Sequence, residues 1–276
     1  MDDIQVYREM EPFLSLIHQE GASWPEQVHQ RLRRIAIAGI RDPLSDQPIH
    51  PDELEVTSTN LRETIQANGL NSRNRAELVI LRRLIEAGDL PALDQLRLYL
   101  CEAVTPFANY LKARIPHIRC SEYLPEPNHQ LRGKVPNRDI HRIGLPPATQ
   151  QAVICNEIFE HVHDLPKALS NLAEVLNLEG FLMATFPLAY DRHESIIKSR
   201  WLGEGLEPEL LTEAEWHGDP VHPDQGSLVY QIPGWELLDQ VRAAGFRDAA
   251  FHAVNSDRYG VSGAEMPIVF VLVAKR

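Results

Sequence analysis

Residues 152–187, AVICNEIFEHVHDLPKALSNLAEVLNLEGFLMATFP, carry the pattern that decides the fold of this chain. The unbroken apolar run at 152–155 predicts a strand that is buried on both faces, as in a parallel sheet. Asp164 can cap a helix whose apolar side chains recur at helical spacing, and Gly180 is expected to end that helix before a second strand at 181–186. The stretch therefore predicts one strand–helix–strand unit.

Strands and helices continue to alternate on both sides of this unit. Further strands are predicted at 96–102, 117–123, 246–254 and 268–274, and further helices at 105–114 and 235–244. Such alternation is typical of a parallel α/β sheet, and the last two strands, joined by a glycine-containing loop, predict an antiparallel end. Residues 188–232 lack a strong period, which indicates an inserted lid or acceptor-binding segment.

Residues 1–90 follow a different pattern, which predicts a helical N-terminal subdomain. Helices are expected at 7–19, 24–38 and 73–87, with a polar loop rich in Asp and Pro before the third helix. The predicted division is therefore a subdomain at 1–90 and an α/β domain at 91–276 that includes the insertion at 188–232.

The composition limits the classes of function. Among 276 residues, 27 Lys and Arg stand against 39 Asp and Glu, and the formal net charge of −12 disfavours nucleic acid or an anionic membrane as a partner. No apolar run approaches the length of a membrane span and the acidic N-terminal residues do not resemble a signal peptide, so a cytoplasmic protein is expected. Three cysteines without metal-ligand spacing predict neither a disulfide framework nor a metal site.

The segments NEIFEHVHDLPKAL at 156–169 and AEVLNLEGFLMATFP at 173–187 resemble the region after the fourth strand of class I S-adenosylmethionine (SAM) dependent methyltransferases. In that family an EHV-type corner precedes a helix and a turn that usually has two glycines, of which Gly180 is the one present here. The resemblance covers residues 96–276. It implies a Rossmann-like, seven-stranded sheet, SAM as the cofactor and methyl transfer as the reaction.

The turn after the first predicted strand departs from the usual family pattern. Most relatives have a GxGxG turn, whose glycines let backbone amides approach the amino-acid end of SAM. A subgroup with an E-x-x-T turn and an SEYL strand end resembles this chain, which has EAVT at 102–105 and SEYL at 121–124. The resemblance assigns Glu102, Ala103 and Thr105 to the cofactor, and the alternative is a strand end followed by an ordinary helix cap.

Acidic residues at the next two strand ends are candidates for binding the nucleoside of SAM. Glu122, followed by Tyr123, ends the second predicted strand, where a carboxylate can accept hydrogen bonds from both ribose hydroxyls. By resemblance, Asp139 would bind the adenine amino group and Ile140 its ring. The alternatives are a solvated charge at Glu122 and a polar turn at 137–139.

The end of the fourth strand completes the predicted cofactor site with Asn156 and Glu157. His161 resembles the histidine of EHV corners, which commonly lies on the cofactor side of the pocket, and the alternative is a histidine that packs against a helix. A metal site at this corner is disfavoured, because no second ligand pair at helical spacing accompanies the group.

The insertion contains the sequence EWHGDP at 215–220, which offers a catalytic base. Methyl transfer to a hydroxyl needs a group that takes up the proton, and histidine is the side chain best suited to this near neutral pH. His217, alone or paired with Asp219, is therefore predicted to be catalytic together with His161. The alternative is a structural loop in which Asp219 accepts backbone hydrogen bonds and Trp216 packs.

These patterns predict a SAM-dependent methyltransferase, with O-methylation of a small molecule such as a sugar or secondary metabolite as the expectation weighted by the family. Two alternatives stay open: a catalytically inactive, methyltransferase-like protein that binds a ligand or partner, and an interaction protein. The altered glycine turn supports the inactive protein, whereas Glu122, Asp139 and the EHV corner favour the enzyme. The expected partners are a small-molecule acceptor and a second copy bound through the N-terminal helices, with no nucleic acid and no membrane.

Overall fold

The computed structural model describes residues 3–126 and 129–276, and the chain divides into two units. The first unit comprises residues 1–92 and 250–273, and the second comprises residues 93–249 and 274–276. The division after residue 92 lies close to the boundary expected at residue 90, whereas residues 250–273 belong to the first unit. No helix within the described ranges is both long and apolar enough to cross a membrane.

The helices and strands have the following bounds. The helices are α1 (Met10–Glu20), α2 (Trp24–Ala38), α3 (Ser72–Glu86), α4 (Pro106–Lys112), α5 (Leu165–Val175) and α6 (Leu237–Ala243). The strands are β1 (Asp3–Tyr7), β2 (Ile40–Arg41), β3 (Pro48–Ile49), β4 (Leu98–Leu100), β5 (Ile118–Cys120), β6 (Gln150–Asn156), β7 (Leu176–Thr185), β8 (Ile196–Ile197), β9 (Ser199–Arg200), β10 (Glu209–Leu210), β11 (Trp216–His217), β12 (Ser227–Leu228), β13 (Gln231–Ile232), β14 (Asp248–Asn255) and β15 (Val269–Lys275). Short 3-10 turns lie at Gly21–Ser23, Pro51–Glu53 and Phe159–His161.

Seven of these strands form one mixed sheet in the order β1-β14-β15-β7-β6-β4-β5. In the second unit β5, β4, β6 and β7 run parallel, and in the first unit β1 pairs antiparallel with β14. The predicted α/β class, the Rossmann-like seven-stranded sheet and the N-terminal helices are confirmed. The strand β1 was not expected, because its five residues, DIQVY, are too short to show a clear alternation before the helical pattern begins.

The predicted strand–helix–strand unit is present, but its second corner differs from the prediction. The carboxylate of Asp164 accepts a hydrogen bond from the Lys167 amide at 3.1 Å and caps α5 as expected. The helix ends at Val175 rather than at Gly180, and β7 begins directly afterwards. The pairing of β7 with β6 then shifts register before Phe181, and Glu179 has a φ of 73°, so these corner residues form an irregularity within the strand.

A buried arginine organises the backbone of the first unit. The guanidinium of Arg75 is fully buried and donates hydrogen bonds to the carbonyl oxygens of Leu70, Ile65 and Gly260 at 3.0, 2.6 and 3.0 Å. Burial lowers the pKa of Arg75 to about 9, and the charge of Asp42 opposes this shift. One side chain thus satisfies carbonyl groups from segments that are far apart in sequence.

The variant Arg75→Met is expected to destabilise the protein by about 3 kcal/mol, because buried carbonyl oxygens lose a charged donor. Urea unfolding followed by circular dichroism measures this change. Arg83→Met is the matched control, since Arg83 is an exposed residue of the same helix, and its effect should stay within about 0.5 kcal/mol. Equal effects of the two substitutions would contradict this role of Arg75.

Candidate active site

The predicted site residues all belong to the second unit, at or after the carboxyl ends of its parallel strands. In this unit β4 lies between β5 and β6, so the connections that follow β4 and β5 place the next strands on opposite sides of β4. Open α/β sheets bind ligands at the carboxyl ends of the strands where the strand order reverses in this way. The ends of β4, β5 and β6 therefore define the candidate site.

Hydrogen bonds between side chains join the ends of β4, β6 and β7. Nδ2 of Asn156 donates to Oε1 of Glu102 at 3.1 Å, and Oγ1 of Thr185 donates to Oδ1 of Asn156 at 2.9 Å. The hydroxyl of Thr105 donates to the other oxygen of Glu102 and accepts from the Ala108 amide at 3.0 Å, as the N-cap of α4. Glu102 and Thr105 thus form the expected strand end and helix cap, and their role toward a cofactor stays a prediction.

Glu122 fixes the loop that follows β4. Its Oε1 accepts hydrogen bonds from the amides of Ala103 at 2.7 Å and Val104 at 3.0 Å. Burial raises the pKa of Glu122, the two amide bonds lower it, and the charges of Glu102 and Asp219 add to the rise. Within residues 3–126 and 129–276, Oε2 of Glu122 has no hydrogen-bond donor. One oxygen is therefore structural, while the other keeps its capacity to accept a hydrogen bond.

This contact explains how the loop at 102–105 forms without glycine. None of its residues has a positive φ, so the backbone does not need the left-handed region that glycine tolerates. Two of its amides point at the Glu122 carboxylate, which supplies the acceptor inside the protein.

Asp139 and Ile140 lie in a turn that is held by His141. Oδ1 of Asp139 accepts from the backbone amide of His141 and lies close to its Nδ1, both at 2.8 Å, and this contact lowers the pKa of Asp139. The carbonyl of Ile140 accepts from Nδ2 of Asn171 at 3.2 Å. The polar turn is thus present, the side chain of Tyr123 after β5 is exposed, and the assignment of these residues to adenine stays a prediction.

Residues 188–232 form pairs of two-residue strands, in which β8 pairs with β13, β9 with β10 and β11 with β12. The segment contacts the loop that follows β5: Nε2 of His222 lies 2.8 Å from Oε2 of Glu126, and Nε2 of His129 lies 3.2 Å from the Val221 carbonyl oxygen. These contacts attach the insertion to the strand end that carries Glu122.

Asp219 does not pair with His217, so the predicted pair is not formed. The Asp219 carboxylate accepts from the Ser227 hydroxyl and from the Val221 amide, both at 2.7 Å, and lies 3.2 Å from Nδ1 of His222. The contacts of Asp219 are those of the structural loop that the sequence offered as the alternative.

His217 instead lies beside Glu160 and His161. Nδ1 of His217 is 3.6 Å from Oε1 of Glu160, and Nε2 of His161 is 3.7 Å from the same oxygen. The Glu160 side chain is 0% exposed, and in the described part of the chain neither of its oxygens has a hydrogen-bond partner. We call these three residues the histidine cluster.

The outer nitrogen of each histidine has a partner of its own. Nδ1 of His161 lies 2.8 Å from the Leu228 carbonyl oxygen, and Nε2 of His217 lies 3.1 Å from Oε1 of Glu215. The Glu160 carboxylate raises the pKa of His217, burial opposes this rise, and Glu215 adds to it. Both rings are therefore held in place with one nitrogen turned toward Glu160.

Glu160 was not among the residues predicted for the site. It lies in a 3-10 turn at Phe159–His161, between the end of β6 and the start of α5. The third member, His217, comes from a strand far along the chain. The adjacent carboxylate and imidazole of the EHV corner were the one local signal.

Comparison with protein-family models finds one match, which lies within the second unit. A family model described as "Methyltransferase domain" matches residues 107–184. No curated protein matches the chain.

Several solved structures resemble the chain at low identity. An S-adenosylmethionine dependent methyltransferase from Mesorhizobium loti is 12% identical, with 73% of this chain and 98% of that chain covered and a TM-score of 0.46. A SAM dependent methyltransferase from Archaeoglobus fulgidus is 14% identical, with 72% and 93% covered and a TM-score of 0.41. The 1,6-didemethyltoxoflavin-N1-methyltransferase of Burkholderia thailandensis is 13% identical, with 70% and 75% covered and a TM-score of 0.37.

The raised pKa of His217 predicts a pH-dependent contribution to stability. A protonated His217 paired with Glu160 and Glu215 stabilises the fold fully below the unfolded pKa of about 6.5, and this contribution is lost as the pH rises through the folded pKa. In metal-free buffer, His217→Ala should therefore lower the melting temperature more at about pH 5.5 than at about pH 8.5. His117→Ala, which changes an exposed histidine of the same unit, is the control. A His217→Ala effect that is equal at both pH values would contradict the pairing.

Proposed function

We propose that the chain is a class I SAM-dependent methyltransferase that transfers the methyl group of SAM to an oxygen atom of a small molecule, and the match of a methyltransferase-domain model to residues 107–184 supports this assignment. The observation that carries the proposal is the carboxylate of Glu122. It is buried after the end of β5, where one oxygen accepts two loop amides and the other has no donor within the described ranges. Ribose hydroxyls are donors that such an oxygen can accept.

The proposal arranges the rest of SAM around Glu122. The carboxylate of Glu102, at the switch point beside Ala103 and Thr105, suits the ammonium group of the amino-acid end. Tyr123, Asp139 and Ile140 are assigned to the adenine side. Asn156 and Glu157, at the end of β6, form the wall toward the transferred methyl group.

Proton removal is assigned to the histidine cluster. As the hydroxyl oxygen bonds to the methyl carbon, the bond from that carbon to sulfur breaks, S-adenosylhomocysteine leaves and the hydroxyl proton passes to a base. His217 is the proposed base, because Glu160 and Glu215 stabilise its protonated form, and His161 lies beside it. Asp219 contributes by positioning the loop through Val221 and Ser227. The protein's share of catalysis is alignment and exclusion of water.

A ligand-binding role without methyl transfer is the second candidate. It is supported by the amides of Ala103 and Val104, which donate to Glu122 and so are not free to bind the amino-acid end of a cofactor. Under this alternative an adenosyl ligand binds and no acceptor is methylated.

Binding of S-adenosylhomocysteine, measured by calorimetry, tests the cofactor site. Glu122→Gln is expected to weaken binding by about 1.5–3 kcal/mol, because a charged acceptor of the ribose hydroxyls is lost. Glutamine keeps an acceptor for the two loop amides, so the melting temperature should change little. Glu174→Gln, an exposed change on α5, is the control.

Two outcomes would contradict this prediction. If SAM and S-adenosylhomocysteine at millimolar concentration produce neither heat of binding nor a shift in melting temperature, the proposed methyltransferase activity is excluded. Unchanged affinity in Glu122→Gln, together with a lower melting temperature, would make Glu122 purely structural.

The base assignment is tested by turnover, measured as release of S-adenosylhomocysteine with a panel of hydroxylated small molecules. His217→Ala should lower turnover by roughly 10² to 10⁴ while the affinity for S-adenosylhomocysteine stays the same. Lower turnover in His161→Ala alone would identify His161 as the base. Unchanged turnover in both variants would mean that neither histidine is the base and that alignment of SAM with the acceptor accounts for the transfer.

A further inference from the structure

We propose that Glu160, His161 and His217 form a binding site for one divalent transition-metal ion, with Zn²⁺ as the ion that the ligand set suits best. One possible ligand atom from each residue lies within 4.8 Å of the others. Two imidazoles and a carboxylate are a ligand set that Zn²⁺ accepts in catalytic centres. The sequence disfavoured a metal site at this corner, because no second ligand pair at helical spacing accompanies the group, whereas the third ligand, His217, comes from a distant strand.

The distances in the histidine cluster fit metal coordination better than hydrogen bonding. The two nitrogen–oxygen separations of 3.6 and 3.7 Å exceed the 2.7–3.2 Å of ordinary hydrogen bonds. With bonds of about 2.1 Å to a central ion, two ligands of a tetrahedron lie about 3.4 Å apart. A small inward movement of the side chains would complete such a geometry.

The hydrogen bonds of the two outer imidazole nitrogens leave the lone pairs of the inner nitrogens directed toward Glu160. A carbonyl oxygen can only accept, so Nδ1 of His161 carries the proton that bonds Leu228, and Nε2 of the neutral ring presents a lone pair to Glu160. Nε2 of His217 likewise donates to Glu215, which leaves a lone pair on Nδ1. Two lone pairs and a carboxylate oxygen thus converge, and only a cation or added protons can join them.

Burial makes a cation the stronger candidate. Glu160 is fully buried, and in the part of the chain that the structure describes, its only ion-pair partners are the two histidines. The nearby ammonium of Lys198 is held by Glu215 at 2.7 Å. A buried carboxylate without hydrogen bonds is costly, and a divalent ion removes that cost by direct coordination.

The surrounding contacts hold the ligands in position. Metal-binding histidines usually donate their second N–H to a carbonyl or carboxylate, as His161 and His217 do here. The strands β11 and β12 pair through His217 and Ser227, and the Tyr230 amide donates to the backbone oxygen of Glu160 at 2.7 Å. The insertion is thereby fastened to the corner that carries the other two ligands.

Three protein ligands leave the fourth tetrahedral position to an oxygen ligand, which is typical of catalytic rather than structural zinc sites. Under the proposed function that ligand is the acceptor hydroxyl, whose pKa a bound ion lowers. With the ion bound, His217 is a ligand and the acceptor's proton passes to solvent water, whereas in the metal-free protein His217 is the base proposed above. This last step rests on the proposed function, whereas binding of the ion does not.

The test uses the full chain after removal of metal by a chelator. Titration with Zn²⁺ by calorimetry should give one ion per chain, Co²⁺ should produce the visible absorption of a tetrahedral complex, and both should raise the melting temperature. Glu160→Gln and His217→Ala should each weaken binding by more than roughly 100-fold, and Glu215→Gln, outside the ligand set, by about 10–100-fold. His163→Ala, two residues from a ligand, is the control with unchanged affinity.

Two results would overturn the proposal. Absence of Zn²⁺ and Co²⁺ binding would mean that protons alone join the histidine cluster. Stoichiometric binding retained in both Glu160→Gln and His217→Ala would place the ion elsewhere. Because SAM and the acceptor are absent from the titration, a failure to bind S-adenosylhomocysteine leaves the metal site standing.

Discussion

The bonds from the loop amides of Ala103 and Val104 to the Glu122 carboxylate are the constraint on which the candidate site depends. They connect the end of β4 to the end of β5 at the point where strand order reverses. Because the Glu122 carboxylate accepts both amides inside the protein, the loop keeps its shape without glycine. Oε2 of Glu122 takes no part in these bonds, so the residue that builds the loop keeps a second oxygen that can accept a hydrogen bond.

The fold could be predicted because its main signals are local. Apolar runs, a capping Asp164 and helical spacing identify the elements of the second unit, and the resemblance supplies their order. The errors fall where local signals are weak. The strand β1 has only five residues and takes its place by pairing with β14, while the end of α5 depends on a register shift between β6 and β7 that no single residue encodes.

The candidate site divides in the same way. The ends of the strands can be predicted from the apolar runs, so Glu102, Glu122 and Asn156 could be assigned to one edge of the sheet from the sequence. The partners of the insertion could not, because two-residue strands have no period and their pairing is decided by contacts such as that of His222 with Glu126. The HGDP sequence suggested that His217 and Asp219 act together, yet a tight turn directs the two side chains to different neighbours.

Two buried carboxylates therefore meet opposite conditions within one unit. Glu122 receives two amide donors and needs no further partner for its structural oxygen, whereas Glu160 receives none in the described chain and has only imidazole nitrogens beside it. A buried carboxylate without hydrogen-bond donors, such as Glu160, is stable only if a proton or a cation neutralises its charge. The insertion supplies the second imidazole of this corner, and what accompanies Glu160 decides the state of His217. With protons alone the ring exchanges a proton and can act as a base, whereas with a cation it is held as a ligand.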